Sequence, residues 1–234
     1  LIWLPLIPLM VKIVNFIVRG EDKQEEEKTQ PLYLDNRVLN QPAAAMQLVT
    51  EETKAMFDNT LVLLSNVKNG FIAGDTEALK NAVTDGKWIS LVHGEIVQYV
   101  SALFTGGGLT EEMAAEAASL MFVVNDVDKM RDRCMDICQI AGDKIFEEYE
   151  FSEMAMEELN RCFDYVMGMM KKAGVLAREN DRQLAIELLD AKDKLRKMER
   201  KFNKNHIKCM KKNDCKPELT GAFSGVLMNL DRIG

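Results

Sequence analysis

The sequence has few of the residues that interrupt helices: five prolines and 14 glycines among 234 residues. Aromatic residues are also scarce, at 7%. These scarcities leave room for long uninterrupted helices, because proline and glycine are the residues least compatible with a helix interior. The apolar content of 47% is sufficient for a buried core. A chain of this length is expected to form roughly one or two domains.

Basic residues are also in deficit, since the formal net charge is −7. A surface that follows nucleic-acid phosphates normally carries net positive charge, so this balance argues against a nucleic-acid partner. Five cysteines, an odd number without zinc-ribbon spacing, indicate a reducing compartment. Cys134 and Cys138 lie four residues apart. A packed helical face produces this spacing by itself, which favours structural thiols over a metal or redox site.

Only two histidines are present, and each falls on or beside an apolar seam. His93 and His206 are therefore predicted to be packed, hydrogen-bonded side chains and not metal ligands. No nucleophile motif based on Ser or Cys accompanies them, so the sequence offers no catalytic triad. The run Gly106-Gly107-Gly108 lacks the preceding strand and the following Lys of a phosphate-binding loop, and predicts a helix connection. We expect no enzymatic activity from this chain.

The first 18 residues are almost entirely apolar. A membrane-spanning helix needs about 20 such residues, so residues 1–19 are predicted to be the end of a transmembrane helix. A soluble core helix remains an alternative, whereas a signal peptide would require a basic start and a small-residue cleavage site. Basic residues beginning with Lys12 and Arg19 predict that the following chain is cytoplasmic. Residues 20–33 are predicted to be a charged, solvated linker.

Six helices are predicted after this linker from the period of the apolar residues and from local stop signals. Their expected ranges are about 42–73, 75–104, 110–148, 153–177, 181–212 and from 217 onward. Many basic side chains lie on the fifth helix, between residues 192 and 212. Such a run is typical of the wet face of a long helix, and contact with an anionic lipid or a phosphate-rich partner is the alternative.

An internal repeat relates the two halves of the chain. The segment Val127-Asp128-Lys129-Met130 recurs in weaker form as Leu230-Asp231-Arg232-Ile233, 103 residues later. A shift of 106 residues aligns the first and second helices with the fourth and fifth, and places Met56-Phe57-Asp58 on Cys162-Phe163-Asp164. Each unit of three helices has apolar stripes that need neighbouring helices. The sequence therefore predicts a tandem of two similar three-helix units.

These units resemble the PhoU-like fold, because each third helix carries an acidic motif. Asp231-Arg232-Ile233-Gly234 is similar to the signature of that family. The stretch Leu34-Asp35-Asn36-Arg37-Val38-Leu39-Asn40-Gln41-Pro42 resembles the Leu-Asp-x-Arg-x-Leu-x-x-Pro stretch found where the PhoU-like domain follows the membrane part of bacterial sodium/phosphate cotransporters. The resemblance covers about residues 31–234. It implies an all-α fold, a PhoU-like tandem of two antiparallel three-helix bundles at 34–150 and 151–234, preceded by the tail of a transmembrane helix.

The same resemblance implies a non-enzymatic regulatory domain of a sodium-dependent phosphate symporter in the plasma membrane. Residues 20–234 would then lie on the cytoplasmic side, attached to the chain's own transmembrane transport domain, with sodium and phosphate as the transported ions. A freestanding PhoU-type adaptor that docks through a helix face is the alternative function. A homo-oligomer is compatible with either. A metal-storing bundle would need Glu-x-x-His pairs, and the sequence contains none.

Three aspartates on the third predicted helix are candidates for a metal site. Asp128, Asp132 and Asp136 are spaced by four residues, so neighbouring carboxylates on one helix face could share a hard cation. The alternative is a solvated acidic stripe paired with nearby basic residues. PhoU-like proteins can carry metal clusters on such pairs, which implies a divalent or ferric ion at Asp128, Asp132 and Asp231.

The second helix of each unit should add carboxylates to such a cluster, and it does not do so here. The aligned positions hold Gly86 and Ser90 in one unit and Lys192 and Arg196 in the other.

Overall fold

A computed structural model describes residues 30–179, 181–212 and 215–234. Within these ranges the protein is helical and contains no strand, which confirms the predicted all-α class. The six predicted helices are present, with ends within a few residues of those expected. They are α1 Pro42–Ala73, α2 Thr76–Thr105, α3 Glu111–Phe146, α4 Glu153–Glu179, α5 Arg182–Lys211 and α6 Thr220–Ile233. Short 3-10 turns at Asn36–Val38 and Pro217–Leu219 precede α1 and α6.

Local capping chemistry sets several helix ends. Asp75 caps α2 by accepting hydrogen bonds from the backbone of Glu77 and Ala78. Asp181, which is 106 residues later, caps α5 in the same way. Both carboxylates lie at the positive end of a helix and satisfy otherwise unpaired N–H groups. Gly74 ends α1 with a φ of 69°, a left-handed conformation that glycine adopts without steric cost.

The helices pack as two trios. Helices α1, α2 and α3 contact one another, and so do α4, α5 and α6. The trios meet where α1 packs against α4 and α3 packs against α6. These two contacts join helices that the repeat makes equivalent. At the surface of the junction, Lys68 Nζ of α1 lies 2.5 Å from Asp164 Oδ1 of α4. One continuous apolar core extends through both trios.

Aromatic side chains fill the core where the trios meet. The ring centroid of Phe71 on α1 lies 6.0 Å from that of Phe163 on α4 and 5.9 Å from that of Phe151, which precedes α4. Phe151 in turn lies 6.3 Å from Phe223 on α6. Phe71, Phe163 and Phe223 are fully buried. Such rings bury large apolar areas and favour tilted contacts, so this cluster ties the two trios into one core.

The cysteines fall into two groups. Cys134, Cys138 and Cys162 are free and buried, as the helical spacing of the first two predicts. Cys209, at the end of α5, forms a disulfide with Cys215. Their Cα atoms are 5.4 Å apart, within the normal range for a bridge. The cysteine count indicated a reducing compartment, in which all five thiols would be free, and this disulfide does not agree with that expectation. The two cysteines can pair because they lie close together between α5 and α6.

The predicted transmembrane tail at 1–19 lies outside the described residues, and so does most of the linker at 20–33. Among the helices that the structure describes, none is both long and apolar enough to span a membrane.

Candidate functional site

Residues 30–41, here called the strap, are anchored onto α1 by a buried carboxylate. Glu52 is fully buried. Its Oε1 accepts a hydrogen bond from the backbone N–H of Leu32 at 3.1 Å. Its Oε2 accepts from the N–H groups of Tyr33 at 2.6 Å and Leu34 at 3.3 Å. One side chain thus binds three consecutive backbone N–H groups of a segment 18 to 20 residues earlier in the chain.

Burial of Glu52 is tolerated because both carboxylate oxygens have donors. An unpaired buried charge costs several kcal/mol, roughly, whereas hydrogen bonds to an ionised group are among the strongest in proteins. Glu52 was not among the predicted site residues, although the sequence carries a signal for it. Glu52 lies three residues after Val49 and four before Met56, on the apolar stripe of α1. A carboxylate on a core-facing stripe needs a partner, and the strap provides it.

Two aromatic side chains of α2 bind the strap from the other side. The indole N–H of Trp88 donates to the carbonyl oxygen of Gln30 at 3.3 Å. The hydroxyl of Tyr99 donates to the carbonyl oxygen of Asp35 at 2.8 Å. Trp88 and Tyr99 are both buried, so their polar atoms need these partners. The strap is therefore bound to α1 and α2 at three points.

The strap turns into α1 through a local ion pair. Arg37 forms two-pronged hydrogen bonds with the carboxylate of Asp35, with Nη2 2.7 Å from Oδ2. The same carboxylate accepts the backbone N–H of Arg37 at 2.9 Å. Hydrogen bonds from Arg37 lower the pKa of Asp35 to about 2. The turn leads to Pro42 at the first position of α1, where proline is favoured.

The repeat places a second buried glutamate at the position of Glu52. Glu158 of α4 lies 106 residues after Glu52 and is also buried. Its Oε1 accepts from Asn205 Nδ2 of α5 at 2.6 Å, and Asn205 is 106 residues after Tyr99. The Oε2 of Glu158 has no hydrogen-bond partner among the described residues. The two trios therefore share a buried carboxylate and differ in what it binds.

Stability of the folded chain should depend on the ionisation of Glu158. Burial raises the pKa of Glu158, against the opposing effect of the Asn205 hydrogen bond and of the Lys201 and Arg161 charges, while Glu157 adds to the rise. A carboxyl group with a raised folded-state pKa favours folding below its ordinary pKa. That contribution is lost as the pH rises through the folded-state value.

We therefore expect Glu158→Gln to become more stable relative to the wild type as the pH rises from about 4 to about 7. Urea unfolding of both proteins at the two pH values measures the difference. A difference that stays constant or reverses would contradict the assignment of a raised pKa to this carboxyl group.

The predicted metal-binding aspartates of α3 lie in ion pairs with arginines of the same helix. Asp128 Oδ1 is 2.9 Å from Arg131 Nε, and Asp132 Oδ1 is 2.8 Å from Arg131 Nη2. Asp136 Oδ2 is 3.2 Å from Arg133 Nη1. Asp132 and Asp136 are each more than half exposed. The guanidinium of Arg131 thus lies between the carboxylates of Asp128 and Asp132, which a bound cation would have to share.

Asp231 lies on α6, the helix that packs against α3. Its Oδ1 is buried and has no hydrogen-bond partner within the described ranges. Burial, together with the charges of Asp231 and Glu199, raises the pKa of the nearby Cys162 thiol to about 12. Burial also raises the pKa values of Cys134 and Cys138. These thiols are therefore protonated at neutral pH and poor ligands or nucleophiles.

The described part of the chain contains no group of three or more His, Cys, Asp or Glu side chains arranged to hold a metal ion. Because Arg131 lies between Asp128 and Asp132 and pairs with both, the carboxylates as placed here do not fit a cluster, and no functional step is assigned to a metal. The metal site at Asp128, Asp132 and Asp231 stays a prediction.

The two histidines differ in burial, since His206 is buried and His93 is partly exposed. His93 Nε2 lies 2.9 Å from Asn125 Oδ1, a contact between α2 and α3. His206 is buried and stacks on Phe223 with a centroid distance of 4.3 Å. Burial lowers the pKa of His206, which keeps the ring neutral at physiological pH. His206 is packed, as predicted, whereas His93 forms a hydrogen bond at the surface.

The best-defined polar arrangement is thus the anchored strap on α1 and α2, with Glu158 and Asn205 as its counterpart in the second trio. Comparison of the chain with family models, with curated proteins and with solved structures finds no match in any of the three.

Proposed function

We propose that the chain is the cytoplasmic regulatory domain of a sodium-dependent phosphate symporter in the plasma membrane. In this proposal residues 34–150 and 151–234 are the two antiparallel three-helix bundles of a PhoU-like tandem. Residues 1–19 are the end of the last membrane helix. The support is the order of features along the chain: an apolar segment, a charged linker, the motif at 34–42 and two related helix trios.

The anchoring of the strap is the observation that carries the proposal. The strap begins at residue 30, within the predicted linker, and Glu52 binds three of its backbone N–H groups. Trp88 and Tyr99 bind two of its carbonyl oxygens. A displacement of the chain before Gln30 would therefore be transmitted to α1 and α2. A loosely attached domain would need none of these buried contacts.

In this arrangement the domain can regulate the transporter without catalysing a reaction. A transporter alternates between states, and a domain that binds one state better shifts the equilibrium by the difference in binding free energy. Such couplings are typically about 1 to 3 kcal/mol. The strap gives the domain a rigid connection through which a repacking of the trios can favour one transporter state.

Removal of residues 31–234 from the membrane protein is expected to change the rate of sodium-dependent phosphate uptake, or its response to phosphate starvation. Glu52→Ala should reproduce part of that change, because it releases the strap and leaves the domain in place. Glu51→Ala, at an exposed neighbouring position paired with Lys54, is the matched control. Uptake of labelled phosphate by vesicles with and without a sodium gradient measures the effect.

Surface labelling should verify that each variant is inserted in the membrane to the same extent. Unchanged uptake and unchanged starvation response after deletion would overturn the regulatory role. If a correctly inserted protein shows no sodium-dependent uptake, the symporter assignment fails and the freestanding adaptor takes its place.

A further inference from the structure

The second trio contains an unfilled groove at the position that the strap occupies in the first trio. In the first trio, the strap residues Gln30, Pro31, Leu34 and Asn36 form one wall of a cavity of about 370 Å³, and Tyr99 and Ala102 of α2 line its other side. The residues 106 positions later, Asn205 and Lys208 of α5, line a cavity of about 400 Å³ whose described wall contains no strap. No chain segment corresponding to the strap lies in this cavity within the described ranges, because α3 leads into α4 through the short connection 147–152.

The carboxylate that anchors the strap also has its counterpart beside this cavity. Asn205 is part of the cavity wall and donates to Oε1 of the buried Glu158. The Oε2 of Glu158 has no partner among the described residues, whereas both oxygens of Glu52 accept backbone N–H groups of the strap. Glu158 itself does not line the cavity, so it acts on an occupant only through Asn205.

The cavity wall carries two lysines and one glutamate. Lys208 and Lys212 of α5 line it, opposed by Glu153 in the first turn of α4. Ser152 also lines it and accepts the N–H of Ala155 at 3.3 Å, so the positive end of α4 faces the same space. These charges favour an occupant that carries carboxylates. Two lysines of the basic run on α5 would therefore contact the carboxylates of this occupant.

We propose that the groove between α4 and α5 binds an extended, acidic segment of a partner protein. Glu158 does not line the cavity, and its hydrogen bond holds Asn205 in the cavity wall. The carboxylates of the segment pair with Lys208 and Lys212, and Asn205 contacts its main chain. Binding through backbone groups with side-chain pockets for specificity is a common mode of peptide recognition. This inference is independent of phosphate transport and goes beyond the proposed regulatory function.

Fluorescence anisotropy with a labelled peptide tests the proposal on the 234-residue chain. The probe is an unstructured peptide of about ten residues in which glutamates alternate with small apolar residues. A second peptide with lysine in place of each glutamate controls for charge. We expect the acidic peptide to bind with a Kd below about 100 µM at physiological ionic strength, and the basic peptide not to bind.

A pair of charge-matched variants locates the site. Lys208→Glu with Lys212→Glu should weaken binding of the acidic peptide by at least about tenfold, because both lysines line the groove. Lys194→Glu with Lys197→Glu makes the same charge change at exposed positions of α5 outside the groove, and should change the Kd by less than about twofold. Asn205→Ala should weaken binding without altering net charge. Circular dichroism should show that every variant keeps its helix content.

Equal losses in the two lysine variants would show general electrostatic attraction and overturn the proposal. Absence of peptide binding would overturn it as well. In that case two further assays identify what uses the groove. Co-sedimentation with phosphatidylserine vesicles that depends on Lys208 and Lys212 would assign it to a membrane surface. Self-association in analytical ultracentrifugation with the same dependence would assign it to a second copy of this chain.

Discussion

Replacement of Glu52 by alanine is expected to lower the free energy of unfolding by about 3 kcal/mol. The variant leaves the N–H groups of Leu32, Tyr33 and Leu34 without their acceptor, and removes a side chain from a fully buried position. A hydrogen bond to a charged group contributes about 1.5 to 3 kcal/mol, and part of the loss is recovered because the released strap can hydrogen-bond to water. Urea unfolding monitored by circular dichroism measures the change.

The structure provides two further readouts for Glu52→Ala. The backbone amides of residues 32–34 should lose protection from hydrogen exchange, while those in the middle of α2 keep theirs. Glu51→Ala is the control, since the Glu51–Lys54 pair is exposed and such pairs contribute about 0 to 1 kcal/mol. A loss of less than about 1 kcal/mol for Glu52→Ala, with unchanged exchange in the strap, would contradict the anchoring role.

Replacement of Phe71 by alanine is expected to cost about 4 kcal/mol, which makes it the most damaging change that we predict. Phe71 is fully buried in α1, and its ring contacts Phe151 and Phe163 of the second trio. Truncation removes the apolar contact area and leaves a cavity that long packed helices cannot close. Because the cavity lies between the trios, the substitution should weaken the association of the two trios.

Denaturant unfolding of Phe71→Ala, followed by both near-ultraviolet and far-ultraviolet circular dichroism, measures this loss. We expect the tertiary signal to disappear at lower urea concentration than in the wild type, and the two signals to separate if the trios come apart first. Phe122→Ala is the control, since Phe122 is 73% exposed and surface substitutions usually change stability by less than about 0.5 kcal/mol. Similar losses for both variants would contradict the role of Phe71 at the junction.

Under the proposed regulatory role, these two variants should affect the membrane protein differently. Glu52→Ala should release the strap from an otherwise intact bundle. Phe71→Ala should loosen the junction of the trios while the strap contacts of Glu52, Trp88 and Tyr99 persist. Comparison of the two in the phosphate uptake assay would therefore distinguish transmission through the strap from transmission through the junction of the trios.

The helices of this protein follow from the sequence because their determinants are local. The period of apolar residues, the caps Asp75 and Asp181, and the stop at Gly74 all act within a few residues of where they stand. The internal repeat could be found in the same way, since it depends only on residue identities. The packed His206 and the buried thiols of α3 are likewise consequences of helical spacing.

Whether the aspartates of α3 are free to bind a cation depends on the positions of the neighbouring side chains. A four-residue spacing puts Asp128 and Asp132 on one face of α3, and this much was predictable. The structure shows that Arg131 lies between their carboxylates. A pattern of carboxylates alone cannot distinguish a cation site from a helix surface neutralised by its own arginines, because both satisfy the same spacing.

Only the tertiary structure decided how the two halves differ. The sequence places Glu52 and Glu158 at equivalent positions of a repeat, with no local sign of what either binds. Glu52 receives the strap because the chain before α1 folds back across α1 and α2. Glu158 has Asn205 and an adjoining cavity because α3 runs directly into α4. Local propensity determines where helices begin and end, whereas the partner of a buried charge is determined by segments that meet only when the chain is folded.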